Sequence, residues 1–268
     1  MTRCYIIAEV GLSHMGETAR AIESVRAFAE AGADAVKFQD HFGQLVPDGQ
    51  RHPSPHVRMT RAAWYAMTSF TWDQWKSVRD ACERSNVDYI VSPFSVEALR
   101  RQLELRPRYI KIASGEVTNR ELLQAVATCG VEVIVSCGMT SDDELNAADA
   151  IFDAGSYPSD NPWWMHCVSE YPCAPEHARL CENHHEPPCY SDHTTGIWFP
   201  IAAVALGATM IEKHAQLDAS RPHSDSDIAL TPDKFREMVE GIRAVEKALY
   251  EPSEPDLTEI RKVYLHAP

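Results

Sequence analysis

The chain has 268 residues, of which 44% are hydrophobic and 24% charged. That balance excludes a disordered chain and leaves ample apolar material for one large core. With 25 basic and 39 acidic residues the formal charge is −14, which argues against general nucleic-acid binding but permits an anionic substrate in a locally basic pocket.

No apolar run reaches the roughly 18 residues that a membrane span requires. The start, MTRCYIIAEVGLSH, does not read as a signal peptide, because its short apolar stretch runs into Glu9. A cytoplasmic location with reduced thiols is therefore expected for the eight cysteines, none of which belongs to a CxxC pair. Cys167, Cys173, Cys181 and Cys189, with His184 and His185 nearby, match no standard zinc spacing and read as buried or loop thiols.

Short apolar runs alternate with amphipathic stretches along the chain. CYIIAEV (4–10) reads as a strand and Thr18 to Ala31 as a helix. DAVKFQ (34–39) is the second strand. The connection after it, 40–70, is rich in His, Pro and Arg and too long for a plain turn, which marks it as functional or mobile. A helix over Trp72 to Arg84, DYIVS (88–92), a helix over Val96 to Leu105 and YIKIAS (109–114) follow. Then come a helix over Asn119 to Thr128, VEVIVS (131–136) and a helix over Asp142 to Asp153. The strands WWMHCVS (163–169), CYSDH (189–193) and TMIEKH (209–214) precede a last helix over Pro232 to Leu249. Thr71 and Ser141 stand where helix N-caps belong, and Gly130 and Gly207 where helices stop.

Eight strands alternating with helices predict parallel βαβ units and a single-domain (β/α)8 TIM barrel over 1–250, with 251–268 as a C-terminal tail. A doubly wound sheet is the alternative, but GxGxxG after the first strand is absent. In such a barrel the chemistry sits at the C-terminal strand ends. Those ends carry Glu9, Lys37 with Gln39, Ser92, Lys111 with Ser114 and Glu116, Ser136, His166 with Ser169, Ser191 with His193, and Lys213 with His214. A core strand has no packing reason to finish on Lys or His, so a shared polar pocket is expected. Lysines and hydroxyls converging on one mouth suit a phosphate or carboxylate. His193 and His214, on neighbouring strands, suit an open divalent-metal site.

The runs IIAEVGLSHMG (6–16), GADAVKFQ (32–39), SPFS (92–95), IKIASGEVTN (110–119), HCVSEYP (166–172), YSDHTTGI (190–197) and ALGATMIEKHAQLD (205–218) resemble the sialic acid synthase family, whose members make nonulosonic acids. The resemblance implies a metal-dependent transferase that condenses phosphoenolpyruvate with an aldose, such as an N-acylated amino sugar, and releases phosphate. Carried over by motif, Lys37, Lys111, Ser92, Ser114, Ser169 and Ser191 would hold phosphoenolpyruvate, and His193 and His214 would ligate Mn2+, with Mg2+ or Co2+ as alternatives. Glu9, Glu116, Tyr171 and Asp225 would face the reacting carbons and the sugar, with one of the glutamates handling the proton of the attacking water.

The partners so implied are phosphoenolpyruvate and an aldose, with a homodimer as candidate assembly and no nucleic acid or membrane. The sequence departs from the family pattern at Ser13, where Asn is usual, at Cys137 within SCGM, and over HSDSDIALTP (223–232). Family members also carry a C-terminal antifreeze-like domain that supplies an arginine to the partner's sugar pocket. The chain ends before it, so an altered choice of aldehyde is expected. The 40–70 segment, with His41, Arg51, His52, His56 and Arg58, either closes over the pocket or packs on the barrel rim. Two other functions fit the same residues: a Schiff-base pyruvate aldolase using Lys111, and a non-catalytic sugar or phosphate binder.

Overall fold

The computed structural model describes residues 3–47, 49–155, 162–182 and 188–250. His184, His185 and the proposed tail, 251–268, lie outside the described residues. Eight strands close into one barrel in chain order: β1 Tyr5–Gly11, β2 Ala35–Asp40, β3 Asp88–Pro93, β4 Tyr109–Ile112, β5 Val133–Ser136, β6 Trp163–His166, β7 Cys189–Asp192 and β8 Met210–His214. Every neighbouring pair is parallel, including the closing pair β1–β8. The α-helices are α1 Thr18–Glu30, α2 Arg61–Thr68, α3 Trp72–Arg84, α4 Val96–Leu103, α5 Arg120–Val126, α6 Asp142–Ala154, α7 Trp198–Ala205 and α8 Pro232–Tyr250. This is the (β/α)8 barrel expected from the alternation of strands and helices.

Side chains on successive strand residues point to opposite faces. One face carries Ile6, Ala8, Val36, Phe38, Val91, Ile110, Val135 and Ile211, which pack beneath the helices in the main core. The other fills the barrel interior with a separate layer of Ile7, Ala35, Ile90, Tyr109, Ile134, Met165, Cys189 and Met210. Two residues further along each strand, the same inward face carries Glu9, Lys37, Ser92, Lys111, Ser136, Cys167, Ser191 and Glu212, all buried. The apolar layer is thus the floor on which a polar layer rests.

Two helices were not expected. α7 is apolar nearly all round, so it shows no amphipathic period, and Pro200 sits in its first turn where a missing N–H costs little. α2 lies inside the 40–70 connection. Its Trp64 packs with Val57 and with Leu12 from the end of β1. Gly16, at φ +80°, passes beneath it, and a Cβ there would stand 2.3 Å from the Met67 carbonyl oxygen. The connection is therefore seated on the barrel rim. The expected caps are present: Thr71 and Gln74 form a reciprocal capping box on α3, as do Ser141 and Glu144 on α6.

Candidate active site

The polar layer and the strand ends above it enclose a cavity of about 120 Å3 at the C-terminal mouth. Lys37 Nζ lies 2.8 Å from Glu212 Oε2 and 3.4 Å from Glu9 Oε2. Ser191 Oγ donates to Glu212 Oε1 at 2.9 Å, and Gln39 Nε2 donates to Glu9 Oε1 at 2.7 Å. Lys111 is different. Its Nζ donates to Ser136 Oγ at 2.6 Å and to the Ile112 carbonyl at 3.1 Å, and among the described residues no carboxylate lies within ion-pair distance. Ser114 and Ser169 share a hydroxyl hydrogen bond of 2.9 Å at the same edge.

Burial divides the charges. It pushes Glu9 up to about 7, only partly opposed by Lys37, with Glu212 adding to the rise. Glu212 is equally buried, but Lys37 and Lys111 together outweigh that and hold it well below the usual carboxylate range. Lys37 is raised, because Glu212 and Glu9 outweigh its burial, whereas burial leaves Lys111 lowered. Asp225 is pushed up to about 6 by burial. The pocket therefore has a firmly ionised glutamate, a glutamate that titrates near neutrality, a paired lysine and an unpaired one.

His193 and His214 face each other across the pocket, with ring centroids 5.5 Å apart. His193 Nδ1 donates to the Val168 carbonyl at 2.6 Å, which leaves Nε2 with its lone pair, 3.2 Å from the Tyr171 hydroxyl. Burial lowers His193 to about 4 and, with the field of His193, holds His214 well below its ordinary value. Both rings are thus neutral at physiological pH, and a neutral imidazole carries one nitrogen lone pair, as metal ligation requires. Among the described residues no group of three or more His, Cys, Asp or Glu converges on a metal-sized point. The pair fits an ion held by two imidazoles with its other positions open. Cys189 lies in the apolar floor and Cys167 in the polar layer, so the cysteines from Cys167 to Cys189 do not form one cluster.

At Gln39, Tyr171 and Asp225 the pocket meets a second cleft of about 410 Å3. Its other walls are Leu12, the His52 to Pro55 stretch and Tyr65 of the 40–70 connection, with Ser224, Asp227 and Ile228 after β8. His41 ties this connection to the site. Its ring is stacked between Tyr65 and Phe94, at 3.7 and 3.9 Å between centroids. Its Nε2 lies 3.2 Å from Gln39 Oε1 and its Nδ1 2.7 Å from Gln44 Oε1. Gln44 Nε2 in turn donates to Glu116 Oε1 at 3.5 Å.

Glu9, Lys37, Ser92, Lys111, Ser114, Tyr171, Ser191, His193, His214 and Asp225 all line the small pocket, and Ser169 touches it through Ser114. Glu116 does not line it. Its carboxyl belongs to an adjoining cavity with Gln44, Glu97 and Asn119, because the short 3₁₀ turn Ser114–Glu116 carries it away from the β4 axis. Two strand-end residues grouped with the pocket in the sequence face outward instead. His166 Nε2 meets the Ala178 carbonyl at 3.1 Å, and Lys213 Nζ donates to Asp192 and to the Thr194 carbonyl. Glu212 and Cys167 were missed. The period of two along β8 points to Glu212: it shares a face with His214, and Lys213 does not.

A profile of the NeuB family matches residues 24–254. The chain is 30% identical over 264 residues to the N-acetylneuraminate-9-phosphate synthase of Mus musculus, covering 93% of this chain and 72% of that protein. It is 31% identical over 261 residues to the N,N'-diacetyllegionaminic acid synthase of Legionella pneumophila, covering 92% and 73%. Among solved structures, the N-acetylneuraminic acid synthetase of Leptospira borgpetersenii superposes with a TM-score of 0.81 at 29% identity, over 98% of this chain and 90% of that one. The chain belongs to the NeuB family.

Proposed function

We propose that this protein condenses phosphoenolpyruvate with an aldose to give a 2-keto-3-deoxy sugar acid and inorganic phosphate, as a transferase of the nonulosonate type. The observation that carries this reading is Lys111. A buried ammonium without a carboxylate partner is costly and is relieved when an anion arrives. Ser136, Ser114, Ser169 and Ser92 stand around it as hydroxyl donors. A site of about 120 Å3 suits a three-carbon phosphorylated acid, and the adjoining cleft of about 410 Å3 takes a sugar.

A divalent ion, Mn2+ in first place, would be held by His193 and His214, and when bound it polarises the aldehyde oxygen. The chain's own residues do the rest. Lys37 and Lys111 fix the phosphate and carboxylate so that C3 of phosphoenolpyruvate faces the aldehyde carbon. The C2–C3 π electrons of phosphoenolpyruvate form the C3–C1 bond as the aldehyde C=O π bond opens, and the resulting alkoxide takes its proton from solvent water. Water then adds to the cation left at C2, and the C–O bond to phosphate breaks. Glu9, with its carboxyl near 7 and held by Gln39, takes the proton from that water.

The test is incubation with phosphoenolpyruvate, Mn2+ and a panel of aldoses, reading phosphate release and product mass. Stoichiometric phosphate with a keto acid heavier than the aldose by the mass of one pyruvic acid is expected; no phosphate with any aldose refutes the reading. The Schiff-base reading also draws on one observation, the lowered pKa of Lys111. It requires a borohydride-trapped adduct on Lys111 in the presence of pyruvate, whereas the condensing synthase leaves the mass unchanged.

A further inference from the structure

We propose that the acceptor taken into the outer cleft is an uncharged aldose, and that the protein discriminates against its phosphate ester. The inference rests on the condensing reaction proposed above and specifies the acceptor within it. The relatives leave acceptor charge open, since one is named for a 9-phosphate product and another for a product without it.

The cleft walls settle the charge by their composition. Asp225 and Asp227 both line the cleft, and among the described residues no lysine or arginine does. Asp227 is half-exposed and lies 2.9 Å from His56 Nε2. The other polar walls are Gln39, His52, Ser54, Tyr65, Tyr171 and Ser224, donors and acceptors suited to sugar hydroxyls. Arg61 stands near without lining it. Its guanidinium is directed to Gln50 Oε1 at 3.0 Å and to the Tyr65 hydroxyl at 3.4 Å, with Tyr65 itself forming the wall.

The contrast with the inner pocket is internal to the molecule. There, two lysines share a small space with hydroxyls and with Glu9, Glu212 and Asp225, and Lys111, which has serine and carbonyl partners in place of a carboxylate, is the cation that holds a phosphate. The outer cleft keeps hydroxyl-matching groups, shares Asp225 with the inner pocket, adds Asp227 and, among the described residues, has no lysine or arginine in its lining. A phosphate dianion placed between Asp225 and Asp227 meets two like charges and, among the described lining residues, no lysine or arginine, which is how a site rejects a near-identical ligand. A neutral hexose loses nothing by the same walls.

The experiment uses the whole chain with phosphoenolpyruvate and Mn2+ and compares N-acylated amino hexoses with their 6-phosphates as matched pairs. The expected kcat/KM is at least about tenfold higher for the neutral member. Equal efficiency, or preference for the phosphate ester, overturns the acceptor proposal and leaves the reaction intact. No phosphate release with either member, across the panel, overturns both. The variant Asp227→Lys sits on an exposed loop position and should narrow the ratio by about tenfold, through a lower KM for the phosphate ester. Asp227→Asn should move the ratio in the same direction by less. A ratio unchanged in both variants overturns the role given to the cleft's charge.

Discussion

Lys37 and Lys111 share a pocket and differ in company. Lys37 is satisfied by Glu212 and Glu9, so its ammonium belongs to the resting protein. Lys111 has only a hydroxyl and a carbonyl. Lys111→Met should therefore leave folding stability level or raise it, while phosphoenolpyruvate affinity falls by about 1.5–3 kcal/mol, roughly one to two decades. Calorimetric titration and a denaturation curve on the same variant check this; lost stability with unchanged affinity would make Lys111 structural. His193 carries a second prediction. Because its Nδ1 is committed to Val168, Nε2 is the nitrogen left for a metal. His193→Ala should lose Mn2+ binding and turnover with the far-UV circular dichroism unchanged. Full turnover by chelator-treated wild type would sink the metal site. Most of the pocket was legible in the sequence because strand ends rich in Lys, Ser and His have no packing explanation. Glu212 was not, because EKH presents three polar residues in a row and only the alternation of faces says which two look inward.

At the scale of elements, the 40–70 connection joins the rim to the site. Its composition marked it as special, but neither α2 nor the stacking of His41 was legible. Both depend on partners distant in sequence: Leu12 under Trp64, Phe94 against His41. α7 was hidden for another reason: it is apolar nearly all round, its exposed Trp198 included, so it lacks the period that reveals an amphipathic helix. Gly16 tests how tightly the connection is tied down. It holds φ +80° with the Met67 carbonyl where a Cβ would be. Gly16→Ala should destabilise the fold by about 2 kcal/mol or more, from the left-handed conformation plus the clash. It should also raise the acceptor's KM more than that of phosphoenolpyruvate, because α2 supplies Tyr65 to the outer cleft and nothing to the floor of the inner pocket. Equal effects on both KM values would show that the connection and the pocket move as one.

For the molecule as a whole, the barrel was legible because eight apolar runs recur with helical segments between them, and closure in sequence order follows from parallel βαβ units. What the sequence could not convey is how many titratable groups closure would bury. Burial lowers His14 to about 3 and His41, His193 and His223 to about 4, and His214 is also held well below its usual value. A histidine depressed in the folded state keeps its full contribution above about 6.5. Below that the unfolded chain binds the proton and the folded one does not, so stability falls by about 1.4 kcal/mol per pH unit for each until the folded value is reached. Glu9, raised to about 7, Asp225, raised to about 6, and Glu116, also raised, act in the opposite sense, holding protons in the fold that the unfolded chain has released. With His52 also lowered by burial, six histidines stand against three raised carboxyls and the raised His177, which leaves a net loss on acidification. The denaturation midpoint should therefore fall between pH 7 and pH 5 in metal-free protein. His14 isolates the effect, because its ring is stacked on Phe70 and its Nδ1 accepts from the Gly16 N–H, away from every group proposed to bind substrate. His14→Gln changes the absolute stability, but it should also flatten the slope below pH 6.5 by about 1.4 kcal/mol per unit. A slope identical to wild type would mean that His14 already carries its proton in the folded barrel.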